Sequence, residues 1–392
     1  MELKSDINHF LKFQYRDSYI LKFLKKYAKF DYVYTVIKPG HTILKKSDWF
    51  ENMPEEILKK ASQKEIYIIL DFNYEGFGNS DACPLYDSFY YTLKKYNIPP
   101  SQLIYISANL IEKQSLDNYC KKNKKTPFIA CSFSAFEFHT QILCDQYIHD
   151  LTLDTAKKTF SNDFNNKYYC SFSKVNRSWR TYASWKLHTS DIGADGYISH
   201  DVIKAVSHTP SIINSKHHKR WLKWIKCLPL LVDTKNFLNP EMTILRKTNV
   251  LEHTGFHIVN ESFVEEENTV FFTEKTFKSM LLYQPLIIWG QPNCNHYLKE
   301  LGYKLYDDWF DLSFDLEKDH HRRHKLLLDS IRKLVHNLKN KNRNEVIDWR
   351  FKNKEVLEYN KNKLLSYKLE NSQLMKTVEE LNGSVAESGL RR

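Results

Sequence analysis

The sequence predicts an α/β protein built from two parallel-sheet domains, and three observations carry that prediction. Near-continuous apolar runs, EIYIILDF at 65–72 and LIYISAN at 103–109, have the length and β-branched content of strands covered on both faces. Each is followed by a segment of helical composition, and this strand–helix rhythm marks a doubly wound domain. It returns in the second half, and 392 residues suffice for two such domains with full cores.

In chain order, residues 1 to about 30 are expected to form one or two helices, with Phe10, Phe13, Ile20 and Leu24 as the apolar stripe. Tyr32 to Val36 then forms a short strand that ends before Pro39-Gly40. The run ending at Phe72 leads into the loop NYEGFGNSD, and in open α/β sheets ligands sit at the carboxyl ends of strands. A helix from Tyr86 to Lys95, the strand at 103–109, a helix to Lys124 and a strand from Pro127 to Cys131 complete the first domain, 1–155. The polar, aperiodic stretch from Thr155 to Asn166 is expected to be the linker. The second domain, 156–317, begins with a strand at Tyr168–Phe172 and continues through strands at Phe256–Val259 and after Pro285, with a short strand at Tyr303–Tyr306. Residues 318–382 are expected to form basic amphipathic helices packing back across both domains, and 383–392 a tail.

Composition narrows the function classes. No run approaches the ~18 apolar residues of a membrane span, and the amino terminus lacks the apolar core of a signal peptide. A cytoplasmic location, in the host if the protein is viral, is the expectation. Seven scattered cysteines without a CxxC pair indicate neither a disulfide framework nor a zinc ribbon. His320, His321 and His324, and separately Asp307, Asp308 and Asp311, look like metal-ligand clusters at first sight. Lys and Arg surround the histidines, and no bound metal is expected. A net charge of +11 favours a polyanionic partner, and from Lys318 to Lys363 there are fourteen Lys and Arg against six Asp and Glu.

The stretch FFTEKTFKSMLLYQPLIIWG, from Phe271 to Gly290, carries the strongest chemical signal. Thr273 is placed to cap a helix marked by Phe277, Met280 and Leu281, and Pro285 opens a buried strand. Lys275 would put a cation in the first helical turn, against the positive end of the helix dipole. An anion bound there removes the conflict, and free backbone N–H groups at a helix start suit a phosphate. Beside it Glu274 can accept hydrogen bonds from ribose hydroxyls, as an acidic residue does in dinucleotide folds. Arg177 and Arg180, three apart at the start of another helix, can clamp a diphosphate. Glu75, flanked by Gly76 and Gly78, is either an exposed loop acid or a general base. The aromatic and basic stretch through Trp221 and Trp224 either stacks on an acceptor or belongs to the core.

The line IVNESFVEEENTVFFTEKTFKSMLLYQPLIIWGQPN resembles the donor-site signature of glycosyltransferases related to the α-1,3-fucosyltransferases, and more closely still that of bacteriophage-encoded glycosyltransferases. The order Asn260-Glu261-Ser262 departs from the Glu-Asn-Ser of the fucosyltransferases. The resemblance implies a GT-B architecture, two Rossmann-like domains with a cleft between them, and inverting transfer from a nucleotide-sugar without a metal ion. It implies that Asn260 and Glu261 line the sugar or ribose pocket and that Glu75 is the base. For the acceptor, the viral resemblance and the basic carboxyl-terminal region point to a hydroxymethylated base in phage DNA. A glycan or lipid-linked saccharide is the alternative, and a non-catalytic nucleic-acid-binding protein on the same scaffold a further one.

Overall fold

The computed structural model describes residues 19–36, 45–72, 84–138, 140–141, 151–173, 178–200, 215–230, 249–262 and 269–387. The chain divides into two units, Met1–Ala135 with Lys368–Arg392, and Phe136–Tyr367. The boundary therefore lies some way before residue 155. The chain's last helix, Gln373–Glu387, groups with the first unit, while the helices at His320–Lys339, Arg343–Arg350 and Lys354–Leu365 group with the second.

In the first unit four parallel strands lie side by side in chain order, β1 (Tyr32–Val36), β2 (Tyr67–Phe72), β3 (Leu103–Ser107) and β4 (Ile129–Ser132). Between and around them run α1 (Tyr19–Tyr27), α2 (Glu55–Ser62), α3 (Leu85–Lys95) and α4 (Glu112–Asn123). The registers Ile69↔Ile104 and Ile104↔Ile129 stack the apolar runs across the sheet. All five residues of β3 are buried, as a strand covered on both faces requires. Against them sits an aromatic cluster in which Phe72, Phe89, Tyr105 and Phe128 meet edge to face at centroid distances of 5.1 to 6.4 Å.

Within this core Glu112, in the first turn of α4, is fully buried and accepts hydrogen bonds from Tyr86 Oη at 2.5 Å and Asn109 Nδ2 at 3.2 Å. Burial pushes its pKa up to about 7, although the hydrogen bonds from Tyr86, Ser107 and Asn109 oppose the rise. A carboxyl whose folded pKa lies above its unfolded value stabilises the fold most when protonated. The contribution is complete below the ordinary 4.5 and is lost as pH rises to 7. Glu112→Gln, always neutral, is therefore expected to unfold at a higher denaturant midpoint than the parent above pH 7, by about 3 kcal/mol. The difference should vanish at acid pH. A difference independent of pH between these limits would contradict the assignment.

In the second unit α5 (Leu153–Asp163) lies largely in the stretch expected to be a linker. Thr152 caps it, its hydroxyl accepting from Thr155 N at 3.1 Å, and Leu153, Ala156 and Phe160 form a buried stripe. That stripe is narrow and set among lysines and threonines, so composition hides it. Its core partner, Arg350, is fully buried and lies with its guanidinium carbon 4.3 Å from the Phe160 ring centre.

The sheet of this unit contains β5 (Tyr169–Ser173), β6 (Gly196–His200), β7 (Phe256–Asn260) and β8 (Leu286–Trp289), all parallel and in the order β6-β5-β7-β8. Helices α6 (Ser178–His188), α7 (Ser215–Ile225), α8 (Asn249–Glu252), α9 (Glu274–Leu281) and α10 (Cys294–Glu300) accompany it. They are followed by α11 (His320–Lys339), α12 (Arg343–Arg350) and α13 (Lys354–Leu365). The expected strand at Tyr303–Tyr306 is not formed. Both tyrosines are instead buried in irregular backbone, which Asn360 of α13 holds through Lys304 N and O at 2.8 and 2.9 Å. Trp221 and Trp224 pack with Trp185 in a buried cluster, so core is the correct one of their two readings. No helix among the described residues is long and apolar enough to cross a membrane.

Candidate functional site

The strand order fixes where a site can form. From β5 the chain steps to β6 on one side and then returns to β7 on the other, so the two neighbours of β5 are entered from opposite directions. At such a switch point the connections after the two central strands diverge and leave a crevice at their carboxyl ends. Ser173 ends β5 and Asn260 ends β7.

Asn260 bridges the two strands, with Nδ2 donating to Ser171 Oγ at 2.7 Å and to Ser173 Oγ at 3.2 Å. Its Oδ1 has no partner among the described residues, although the side chain is 2% exposed. A buried acceptor left open costs stability, which makes it a ligand contact worth testing. The sequence pattern does contain a signal for the serines: two small hydroxyls, at alternate positions, face one way from an otherwise apolar strand.

The next residue, Glu261, is fully buried and does not line an open pocket. Its carboxylate accepts from Thr273 N at 3.0 Å and Thr276 Oγ1 at 2.7 Å through one oxygen, and from Thr273 Oγ1 at 2.7 Å through the other. Two expectations change as a result. Thr273 occupies the N-cap position of α9, but its hydroxyl donates to Glu261 and makes no side-chain cap. The amino end of α9 already has a protein carboxylate against it, which satisfies the dipole without any ligand. The spacing hid this because twelve residues separate Glu261 from Thr273 in sequence.

Lys275 is likewise not an isolated cation. Its ammonium donates to Glu274 Oε1 at 2.9 Å and to Thr273 Oγ1 at 3.0 Å, with the side chain 25% exposed. Two of its three donors are used, and the third has no partner among the described residues. Glu274 is pushed toward a higher pKa by burial, but the Lys275 charge and hydrogen bond, its own backbone bond and the Arg180 charge outweigh this and hold it below the ordinary carboxylate value. It is ionised and ready to accept hydroxyl donors. Beneath it, Ser279 Oγ donates to the Lys275 carbonyl at 3.3 Å, which leaves it to accept from His257 Nδ1 at 2.6 Å. Burial, then Lys278 and Lys275, push the His257 pKa down to about 3, so the ring is neutral and positions the helix start.

Arg180, at the start of α6, reaches the same place. It is 5% exposed, with Nε donating to the Glu261 carbonyl at 3.2 Å and Nη2 to Ser262 Oγ at 2.8 Å. Arg180, Asn260, Glu261, Thr273, Glu274 and Lys275 thus form one connected group at the carboxyl edge of β5 and β7. Arg177 and Glu75 lie outside the described residues.

No protein-family model matches the chain, and no curated protein does.

One residue near this edge carried no signal in the sequence. Gln291 follows the end of β8, where Gly290 leaves no room for a side chain: a Cβ would sit 2.8 Å from Cys294 Sγ. The Gln291 side chain is 1% exposed and its Nε2 has no partner among the described residues. Together with Asn260 it gives the ends of β7 and β8 an open acceptor and an open donor. Chemically the group combines two cations, an ionised carboxylate and unfilled amide positions, a set suited to a polar ligand that carries both phosphate and hydroxyl groups.

Proposed function

We propose that the chain is a GT-B-type glycosyltransferase that moves a sugar from a nucleotide-sugar to an acceptor hydroxyl, with inversion at the anomeric carbon. The observation that carries this reading is the meeting of Arg180 and Lys275 with Glu274 and Asn260 at the switch point of the second sheet. The donor diphosphate would lie against Lys275 and Arg180, with Arg177 as a further cation. Glu274 would accept the ribose hydroxyls, and Asn260 would use its open Oδ1 on ribose or sugar. Glu261 would act through position, holding Thr273 and the start of α9. Across a cleft between the two domains, Glu75 would take the acceptor proton. The acceptor oxygen then bonds to the anomeric carbon as the bond to the β-phosphate oxygen breaks, and the electron pair leaves with the nucleoside diphosphate. Fixed cations at that oxygen stabilise charge that develops only in the transition state, so transfer is expected to proceed without a metal ion.

For the acceptor we propose a hydroxymethylated base in DNA, reached by extruding the nucleotide. The concentration of basic residues late in the chain supports it. The deciding experiment offers a panel of nucleotide-sugars together with hydroxymethylated DNA or with oligosaccharides and weighs the products by mass spectrometry. One sugar added to DNA, with release of nucleoside diphosphate, is the expected result. Sugar added to an oligosaccharide instead would replace the acceptor. DNA retained with no turnover of any donor would leave a binding protein on a transferase scaffold.

A further inference from the structure

The basic charge of the chain is concentrated on two helices. α7 and α11 together carry ten Lys and Arg against one acid, Asp329, and so supply nine of the net +11. Where these helices meet the end of α6 there is a cavity of about 260 Å³, walled by Trp185, Lys186, Asp191, Arg220, Leu328 and Arg332. One cation of the wall is already paired: Arg332 Nε lies 2.7 Å from Asp191, which His336 Nε2 also meets at 2.8 Å. Lys186 and Arg220 have no carboxylate within ion-pair distance among the described residues. Lys186 is half-buried, its ammonium 4.8 Å from the centre of the Trp185 ring and 5.4 Å from that of Tyr182. Burial first, and the Arg220 charge second, push its pKa down. The one carboxylate of the wall, Asp191, is already shared by Arg332 and His336, so Lys186 and Arg220 border the same space as like charges, and an anion between them removes the repulsion.

We infer that this cavity is a phosphate site for a nucleic-acid strand, with one phosphodiester seated between Lys186 and Arg220. Arg220 offers the planar fork that matches two phosphate oxygens, and Lys186 supplies a point charge held in place by the rings beneath it. A membrane surface fits less well. Interfacial helices present Trp or Phe to the lipid, whereas Trp221 and Trp224 of α7 are both buried. The exposed apolar side chains of these helices are single leucines, Leu222 at 42% and Leu326 at 40%. The inference rests on the DNA-acceptor part of the proposed function and is independent of the donor site, whose residues it does not share.

The test measures binding of the full chain to a short fluorescent DNA duplex by anisotropy, from low to moderate salt. Lys186→Gln/Arg220→Gln should bind at least about tenfold more weakly at low salt, and the slope of log affinity against log salt should become shallower by about 2. Release of nucleoside diphosphate should fall at sub-saturating DNA and return to the parent's rate when DNA is in excess, because the donor site is untouched. Arg220→Lys, which keeps the charge, should retain most of the binding, and the double variant should unfold at the parent's midpoint. A slope equal to the parent's overturns the inference. So does an equal loss of binding to vesicles of anionic phospholipid, which would make the surface a membrane contact. If the slope becomes shallower but no donor is ever turned over, the transferase reading fails and the phosphate site stands. If donors are turned over and the slope is unchanged, the reverse holds.

Discussion

Lys275→Ala is expected to lower nucleotide-sugar turnover by roughly 10²–10³-fold, the loss typical when one fixed group that stabilises transition-state charge is removed. Lys275 keeps one ammonium donor without a partner among the described residues, and it sits on a helix start held from several sides. Glu261 fixes Thr273, and His257 supports the Lys275 carbonyl through Ser279. The fold should survive the substitution. The Lys275 side chain is a quarter exposed, and its ion pair with Glu274 is of a kind that adds little stability. Glu274 would respond, because the Lys275 charge is one of the influences that hold its pKa low. A depressed carboxylate pKa stabilises the fold above the unfolded value and loses that contribution as pH falls. Stability of the variant should therefore depend less on pH in the acid range. Turnover equal to the parent's, measured with a donor in excess, would remove Lys275 from the chemistry.

Glu261→Ala should show the opposite pattern, a large loss of stability. The carboxylate is fully buried and takes three hydrogen bonds, from Thr273 N, Thr273 Oγ1 and Thr276 Oγ1. Alanine leaves these buried donors without an acceptor at the positive end of a helix, at a cost of about 3–5 kcal/mol. Against a total stability on the order of 5–15 kcal/mol that is a large fraction. Urea titration followed by tryptophan fluorescence reads it as a lowered midpoint. Glu261→Gln retains one acceptor oxygen, and the threonine hydroxyls can turn to accept from its amide, so its loss should be smaller, about 1–2 kcal/mol. If the alanine variant unfolds at the parent's midpoint, Glu261 is not the cap described, and its place in the sugar or ribose pocket would be open again.

The two substitutions separate roles that look alike in the sequence. Glu261, Glu274 and Lys275 are all charged residues in the stretch that resembles a donor site. One is fully enclosed and holds a helix, and the other two are about a quarter exposed and paired with each other. Local sequence cannot make that division, because burial depends on which distant strand a loop returns to.

Much of the fold was legible because strands covered on both faces must be apolar along their length. The runs at 65–72 and 103–109, and the strand after Pro285, lie within a residue or two of β2, β3 and β8. Legibility failed where the apolar signal was thin or its partner remote. The three-residue stripe of α5 was hidden among polar neighbours, and the aromatic run at Tyr303–Tyr306 is buried by a side chain of α13 and not by a sheet.

By itself the sequence determined that the protein is α/β and that its strands come in two groups, and it singled out Lys275, Glu274 and Arg180 as candidates for ligand contact. Residue type and spacing suffice for that, because they set local conformation and charge. Only the tertiary structure decided that β5 and β7 are neighbours, so that Asn260 spans a switch point. It alone decided that Glu261 satisfies the helix end Lys275 seemed to oppose, and that Lys186 and Arg220 share a cavity. These are relations between segments tens of residues apart, and chain folding, not local preference, brings their charges and hydrogen-bonding groups together.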